Sequence, residues 1–135
     1  SEMCIRDRRN AITSNFDTYR GCAIAIADIE SEDLRIIASQ AADEMLNISG
    51  IQSSYVLYRT GDIVNISARS MGAMNVQLIM EMLGGGGHQT MAAAQLSNIS
   101  VSDAKVRLLQ VIDQFYAQIN AQEEAPQERP EEMQN

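Results

Sequence analysis

The sequence predicts an α+β fold, a mixed β-sheet with helices packed on it, and three observations carry the prediction. Short apolar and β-branched runs alternate with segments whose apolar residues recur at helical spacing. The Thr60-Gly61-Asp62 turn separates two strand-like runs, as in a hairpin. A chain of 135 residues, 45% of them apolar, is long enough to bury a core. With only 4% aromatics, that core has to be built from Ile, Leu, Val, Ala and Met.

Taken in order, Asn10 to Tyr19 reads as a short helix or an irregular lead-in. Gly21 to Ala27 (GCAIAIA) is an apolar run of buried-strand length. Glu32 to Ile48 is helical, because Leu34, Ile37, Ala41, Met45 and Ile48 fall on one face and acids gather near its start. Asn47-Ile48-Ser49-Gly50 ends it. Ile51 to Tyr58 is rich in β-branched and aromatic residues and reads as a strand, with Ile63 to Ala68 as its hairpin partner. Asn75 to Leu83 is a short helix with Val76, Ile79, Met80 and Leu83 on one side. After four glycines, His88 to Ala94 is expected to form a second short helix and Gln95 to Ile99 a strand. Ser102 to Asn120 is the clearest helix, with Ser102 as N-cap and Val106, Leu109, Ile112, Phe115, Tyr116 and Ile119 as its apolar stripe. Gln122 to Asn135, with two prolines among acids and amides, reads as a disordered acidic tail.

The formal net charge is −8. Half of it sits in Ala121 to Asn135, and no basic block balances it. Such a chain is a poor candidate for gripping a long duplex by phosphate neutralisation, although a small anion in a local site remains open. The cysteines, Cys4 and Cys22, show no C-x-x-C spacing and suggest no disulfide framework. No apolar run is long enough to span a bilayer, and Ser1 to Arg9 lacks a signal-peptide core, so a cytoplasmic location is expected.

The segment Gly84-Gly85-Gly86-Gly87-His88 is the most informative. Each ordered glycine costs about 0.5–1 kcal/mol against alanine, so four together need a reason. One reason is close approach of a ligand to the backbone. If a helix starts at His88, its free N–H groups and positive dipole end would suit a phosphate. The other reading is a flexible linker. The run is no Walker loop, since no G-K-[ST] follows. His88, the single histidine, would donate to a phosphate oxygen or simply cap a helix. Alone it makes no metal site.

Arg69 ends an apolar strand and is the only Lys or Arg between Thr60 and Ala104. Its planar donor fork would clamp a phosphate or a nucleobase edge; otherwise it is a solvated charge or a partner for Glu81. Ser70 reads as a turn residue and Asn75 as an N-cap. Asp43, Glu44, Asp62 and Glu81 are scattered, with no carboxylate pair set for acid–base chemistry. The methionines Met71, Met74, Met80, Met82 and Met91 read as core filler.

Read together, ISARS (Ile66 to Ser70), NVQLIMEMLGGGGH (Asn75 to His88) and AAAQL (Ala92 to Leu96) resemble the DHH-associated domain that follows the catalytic domain in DHH phosphoesterases. The resemblance is greatest to the cyclic-di-AMP phosphodiesterase branch and runs from about Tyr19 to Ile119. It implies the DHH-associated domain fold and a substrate-recognition role. The ligand would be a cyclic dinucleotide, a linear dinucleotide or a short oligonucleotide. It also implies a DHH catalytic domain upstream in the full-length protein, holding manganese whose bound water attacks the phosphodiester. Carried over by position, Gly84, Gly85, Gly86, Gly87 and His88 match the phosphate loop, Arg69 and Ser70 the polar end of ISARS, and Asn75 the opening of the next helix.

The catalytic Asp and His motifs are absent from this sequence. The chain by itself is therefore expected to be inactive, to bind no cofactor of its own, and to be the C-terminal fragment of a longer gene. Members of this branch are often membrane-anchored, with this domain in the cytoplasm. Residues 1–9 match no family segment and are expected to be a non-native or disordered start, with the domain proper over 10–121 and the tail over 122–135. Two other readings stand beside this one: a stand-alone, non-catalytic module for dinucleotides or short RNA, and a dimerisation domain whose glycines only allow close packing.

Overall fold

The computed structural model describes residues 4–124. The chain opens on α1 (Ile5–Thr13), followed by the antiparallel strands β1 (Phe16–Tyr19) and β2 (Cys22–Ala27). α2 (Leu34–Met45) then crosses over to β3 (Ser53–Thr60), and a tight turn leads to β4 (Ile63–Ser70). α3 (Val76–Glu81) precedes a two-residue strand, β5 (Gly86–Gly87), then β6 (Met91–Ser97) and the long α4 (Val101–Glu124). The six strands form one sheet in the order β1-β2-β3-β4-β6-β5. Only β2 and β3 run parallel, joined by the α2 crossover; the other neighbours are antiparallel. The sheet is therefore mixed and the fold α+β, as the alternating patterns require.

Strand periodicity divides the core in two. On one face Cys22, Ile24, Tyr55, Leu57, Val64, Ile66 and Ala68 pack under α3 and α4. On the other, Ala23, Ala25, Ala27, Val56 and Tyr58 pack under α1 and α2. The alanines of β2 let α2 lie close, and Ile37, Ala38, Ala41, Ala42 and Met45 fill the contact.

Several expectations need correction. No helix starts at His88: a bend at Gln89 and Thr90 turns β5 into β6, and Met91 to Ala94 belong to the strand. Alternate burial of Ala92, Ala94 and Leu96 marks this run as a half-buried strand, which the alanine-rich composition disguised. β1 was missed because its four residues, Phe16–Tyr19, are at most half-buried and show no alternation. Helix α1 begins inside the stretch expected to be a disordered start: Ile12 is buried, and Arg9 reaches Glu44 at 2.9 Å across α2. Helix α4 starts one residue early, its first turn capped by Ser100 Oγ accepting from Asp103 N–H, so Ser102 is not the cap. Its buried stripe is Ala104, Leu108, Val111, Ile112 and Phe115, whereas Val106 is half exposed. α4 runs through residues 122–124, the first of the stretch read as tail; residues 125–135 lie outside the described residues.

Candidate functional site

Helix α2 covers only part of its face. α2 reaches as far as β4, where Asn65, Ser67 and Arg69 are buried; beyond it the sheet continues uncovered across β6 and β5, and a cleft of about 490 Å³ opens between the flank of α2 and this bare half. Its size suits a small-molecule ligand. The register explains its floor: Ser67 of β4 lies opposite Ala93 of β6, which lies opposite Gly86 of β5. A row of such small residues leaves the backbone open. Two residues along the strands in one direction stand Arg69 and Met91; two in the other stand Asn65 and Gln95. Arg35 and Ser39 of α2 form the facing wall. Two arginines and no acid line the cleft among the described residues, so its local charge is positive although the chain is acidic.

Arg69 is 9% exposed. Its Nη1 donates to the Ala68 carbonyl at 2.9 Å, and its Nε lies 3.1 Å from Asp43 Oδ1 without hydrogen-bond alignment. The acid beside it is thus Asp43 of α2, not Glu81. Because Asp43 is largely exposed and the contact poorly aligned, most of the guanidinium's donors remain uncommitted. Tyr58 lies on the same side of the cleft; burial raises its phenol above the usual range, while nearby Arg35 and a hydrogen bond with Ser67 act the other way. It stays neutral at physiological pH and is a donor rather than an anion.

The four glycines do three different things. Gly84, at φ +81°, ends α3: its N–H donates to Glu81 O at 3.0 Å and the Gly85 N–H to Met80 O at 2.8 Å, the paired bonds of a Schellman stop. A Cβ on Gly85 would meet Ala93 O at 2.1 Å, and one on Gly87 would meet Ala92 Cα at 2.5 Å, so both are needed for β5 to approach β6. A Cβ on Gly86 would meet nothing within 4 Å, and Gly86 lines the cleft. The run is thus an ordered strand edge, not a linker, and the helix-dipole argument for phosphate binding lapses with the helix it assumed.

Of the residues singled out by sequence, the structure brings Arg69, Gly86 and Gly87 into the cleft and leaves Ser70, Asn75, Gly84, Gly85 and His88 outside its lining. Asn75 is an N-cap, its Oδ1 accepting from Gln77 and Leu78 N–H at 3.0 and 3.3 Å. Ser70 Oγ donates to Gln89 O at 3.2 Å and tethers the β5–β6 turn. His88 is exposed and closes that turn by exchanging backbone hydrogen bonds with Met91. Sequence reasoning missed Asn65 and Ser67. The signal was there: in Val64-Asn65-Ile66-Ser67-Ala68-Arg69 apolar and polar residues alternate strictly, placing three polar side chains on one face of a buried strand. Among the described residues no group of three or more His, Cys, Asp or Glu could hold a metal ion. No described helix is long and apolar enough to cross a membrane.

Residues 21–118 match the DHHA1 domain family. The chain is 41% identical over 111 residues to the cyclic-di-AMP phosphodiesterase PdeA of Listeria monocytogenes, covering 81% of this chain and 17% of that protein. It is 48% identical over 98 residues to the cyclic-di-AMP phosphodiesterase GdpP of Bacillus subtilis, covering 69% of this chain and 15% of that protein. The chain therefore spans about a sixth of the length of these relatives. Among solved structures, an exopolyphosphatase-related protein from Bacteroides fragilis aligns with a TM-score of 0.71 at 18% identity, covering 89% of this chain and 37% of that one. A pGpG-specific phosphodiesterase from Vibrio aligns with a TM-score of 0.54 at 16% identity, covering 84% of this chain and 40% of that one. With its glycine run, its ISARS strand and its mixed sheet all accounted for, the chain belongs to the DHHA1 domain family.

Proposed function

We propose that this domain is the substrate-recognition part of a cyclic-di-AMP phosphodiesterase, holding a phosphate of cyclic-di-AMP or of its linear product pApA in the cleft over β4, β6 and β5. The observation that carries the reading is the bare half of the sheet, where the uncommitted donors of Arg69 stand beside a floor of Ser67, Ala93 and Gly86. A phosphate over Ala93, between Ser67 and Gly86, meets only a methyl group on the floor, is placed to take charge-assisted hydrogen bonds from Arg69, and has the Ser67 hydroxyl one strand away. Arg35 adds a second positive charge from the opposite wall. The relatives named for cyclic-di-AMP supply the ligand class.

Hydrolysis belongs to a DHH catalytic domain elsewhere in the full-length protein. The manganese expected there has no fitting ligand set among the described residues of this chain, so no bond-breaking step is assigned to them. What this chain contributes is position: one phosphate fixed against the sheet presents the dinucleotide in a single orientation.

Titration calorimetry of pApA into the 135-residue chain tests this. Arg69→Ala is expected to weaken binding by about 1.5–3 kcal/mol, the loss of a hydrogen bond to a charged group. Unchanged affinity in a folded variant removes Arg69 from the site.

A further inference from the structure

The cleft has a second end, and its chemistry differs from the first. Four residues before Arg69 on β4 stands Asn65, and opposite it on β6 stands Gln95. Cross-strand partners have Cβ atoms about 4.5–5.5 Å apart, so the two amides are neighbours on the same face. Arg69 lies roughly 13 Å away along the strand at about 3.3 Å per residue, the reach of one nucleotide from phosphate to base edge.

The Asn65 amide is not free to turn. Its Nδ2 donates to Thr60 Oγ1 at 2.7 Å and, more weakly, to the Tyr58 carbonyl at 3.4 Å. A backbone carbonyl only accepts, which fixes the nitrogen on that side and turns Oδ1 away from it. Among the described residues Oδ1 takes no hydrogen bond, yet it is not among the sealed, unpartnered polar atoms. Asn65 thus offers the cleft an acceptor and no donor, although the residue is only 8% exposed. Gln95 is exposed, and its amide makes no hydrogen bond among the described residues, so it can supply a donor.

We infer that Asn65 and Gln95 read the base of the bound nucleotide and select a 6-aminopurine over a 6-oxopurine. An acceptor beside a donor is the complement of the adenine major-groove edge, where N6–H donates and N7 accepts. Guanine presents two acceptors there, O6 and N7, and its O6 faces Asn65 Oδ1 with no proton between them. A side chain held by Thr60 and Tyr58 cannot flip to relieve that contact. Asn65 and Gln95 touch the base; Thr60 is a positioning residue that acts through Asn65. This inference rests on the dinucleotide reading of the cleft and names the specificity of that same site.

The test compares pApA, pGpG and a 7-deazaadenine analogue of pApA as ligands for the unmodified chain, Asn65→Ala, Gln95→Ala and Thr60→Val. The unmodified chain is expected to prefer pApA over pGpG by about tenfold or more. Asn65→Ala is expected to bring the two to near parity, chiefly through loss of pApA affinity. Gln95→Ala, at an exposed position, is expected to keep the fold and to bind pApA and its 7-deaza analogue equally. Thr60→Val removes the shorter of the two bonds on the Asn65 amide, leaves only the 3.4 Å contact with the Tyr58 carbonyl to orient it, and is expected to narrow the preference while pApA still binds. If the unmodified chain binds both dinucleotides equally, or the preference survives in both Asn65→Ala and Gln95→Ala, the base-reading inference is overturned and the phosphate reading stands. If it binds neither while folded, the cleft is not a dinucleotide site and both fall.

Discussion

The two faces of the sheet are made from the same strands and do opposite work. Toward α3 and α4, strand β4 contributes Val64, Ile66 and Ala68, each fully buried in a continuous apolar core. Toward α2 it contributes Asn65, Ser67 and Arg69, whose polar atoms meet a cleft with no helix above its outer half. A strand that must both hold the fold and display a site can divide the tasks by parity. One face is then tolerant of chemistry because the other is not. The glycines in and just before β5 repeat the division: Gly85 and Gly87 face backbone of β6, and Gly86 faces open space.

The sharpest way to break this contrast is to substitute neighbours on opposite faces. Ile66→Ala empties a fully buried site and should cost about 2–5 kcal/mol of stability. Ser67→Ala, one residue on, should shift stability by less than about 1 kcal/mol while weakening pApA binding. Urea unfolding and calorimetry on the two variants check this; a reversal of the two patterns would show that the faces are assigned the wrong way round. Next in size is the glycine pair. Gly85→Ala forces a Cβ against Ala93 O and should cost about 1–3 kcal/mol, whereas Gly86→Ala should leave the thermal midpoint nearly unchanged and lower affinity by narrowing the floor. Equal destabilisation by both would mean that the run serves packing alone.

The smallest effect expected is electrostatic and lies away from the cleft. Arg20 and then Tyr19, each hydrogen-bonded to Asp113 on α4, hold its carboxyl below the usual carboxylate range. A lowered folded-state pKa means the contribution is present above the unfolded value of about 3.9 and is lost as pH falls through the folded value. Asp113→Asn should therefore be slightly less stable at neutral pH, and the two proteins should converge in acid. A gap that persists in acid strong enough to protonate Asp113 in the folded protein would point to a packing effect instead.

Much of this architecture was legible in the sequence, and the failures have physical causes. The existence and order of β2, α2, β3 and β4 follow from apolar periodicity and from turn residues such as Gly50 and Gly61, but their ends do not: α2 stops at Met45, leaving Ile48 exposed beyond it, and β3 runs from Ser53 to Thr60 rather than from Ile51 to Tyr58. The stretch after the glycines was misread because Met91 to Ala94 is rich in good helix formers, and alanine marks a buried face too faintly to reveal a period of two. Pairing with β4 along seven residues overrode that propensity. At the site, Arg69 and the glycine run were legible as unusual residues, but the cleft was not. It exists because α2 stops short of β6, a property of the packing rather than of any single residue. Asn65 and Ser67 show the cost of reading residues singly: neither stands out by type, and both stand out by parity.

The central claim, that the bare half of the sheet is the ligand site, is tested most directly by an NMR titration of the labelled chain with cyclic-di-AMP and with pApA in the absence of metal. The account predicts shifts on Ser67, Arg69, Gly86 and Ala93, with the α3 and α4 face silent. Shifts gathered on α3 and α4, or a folded spectrum that no dinucleotide disturbs, would contradict it.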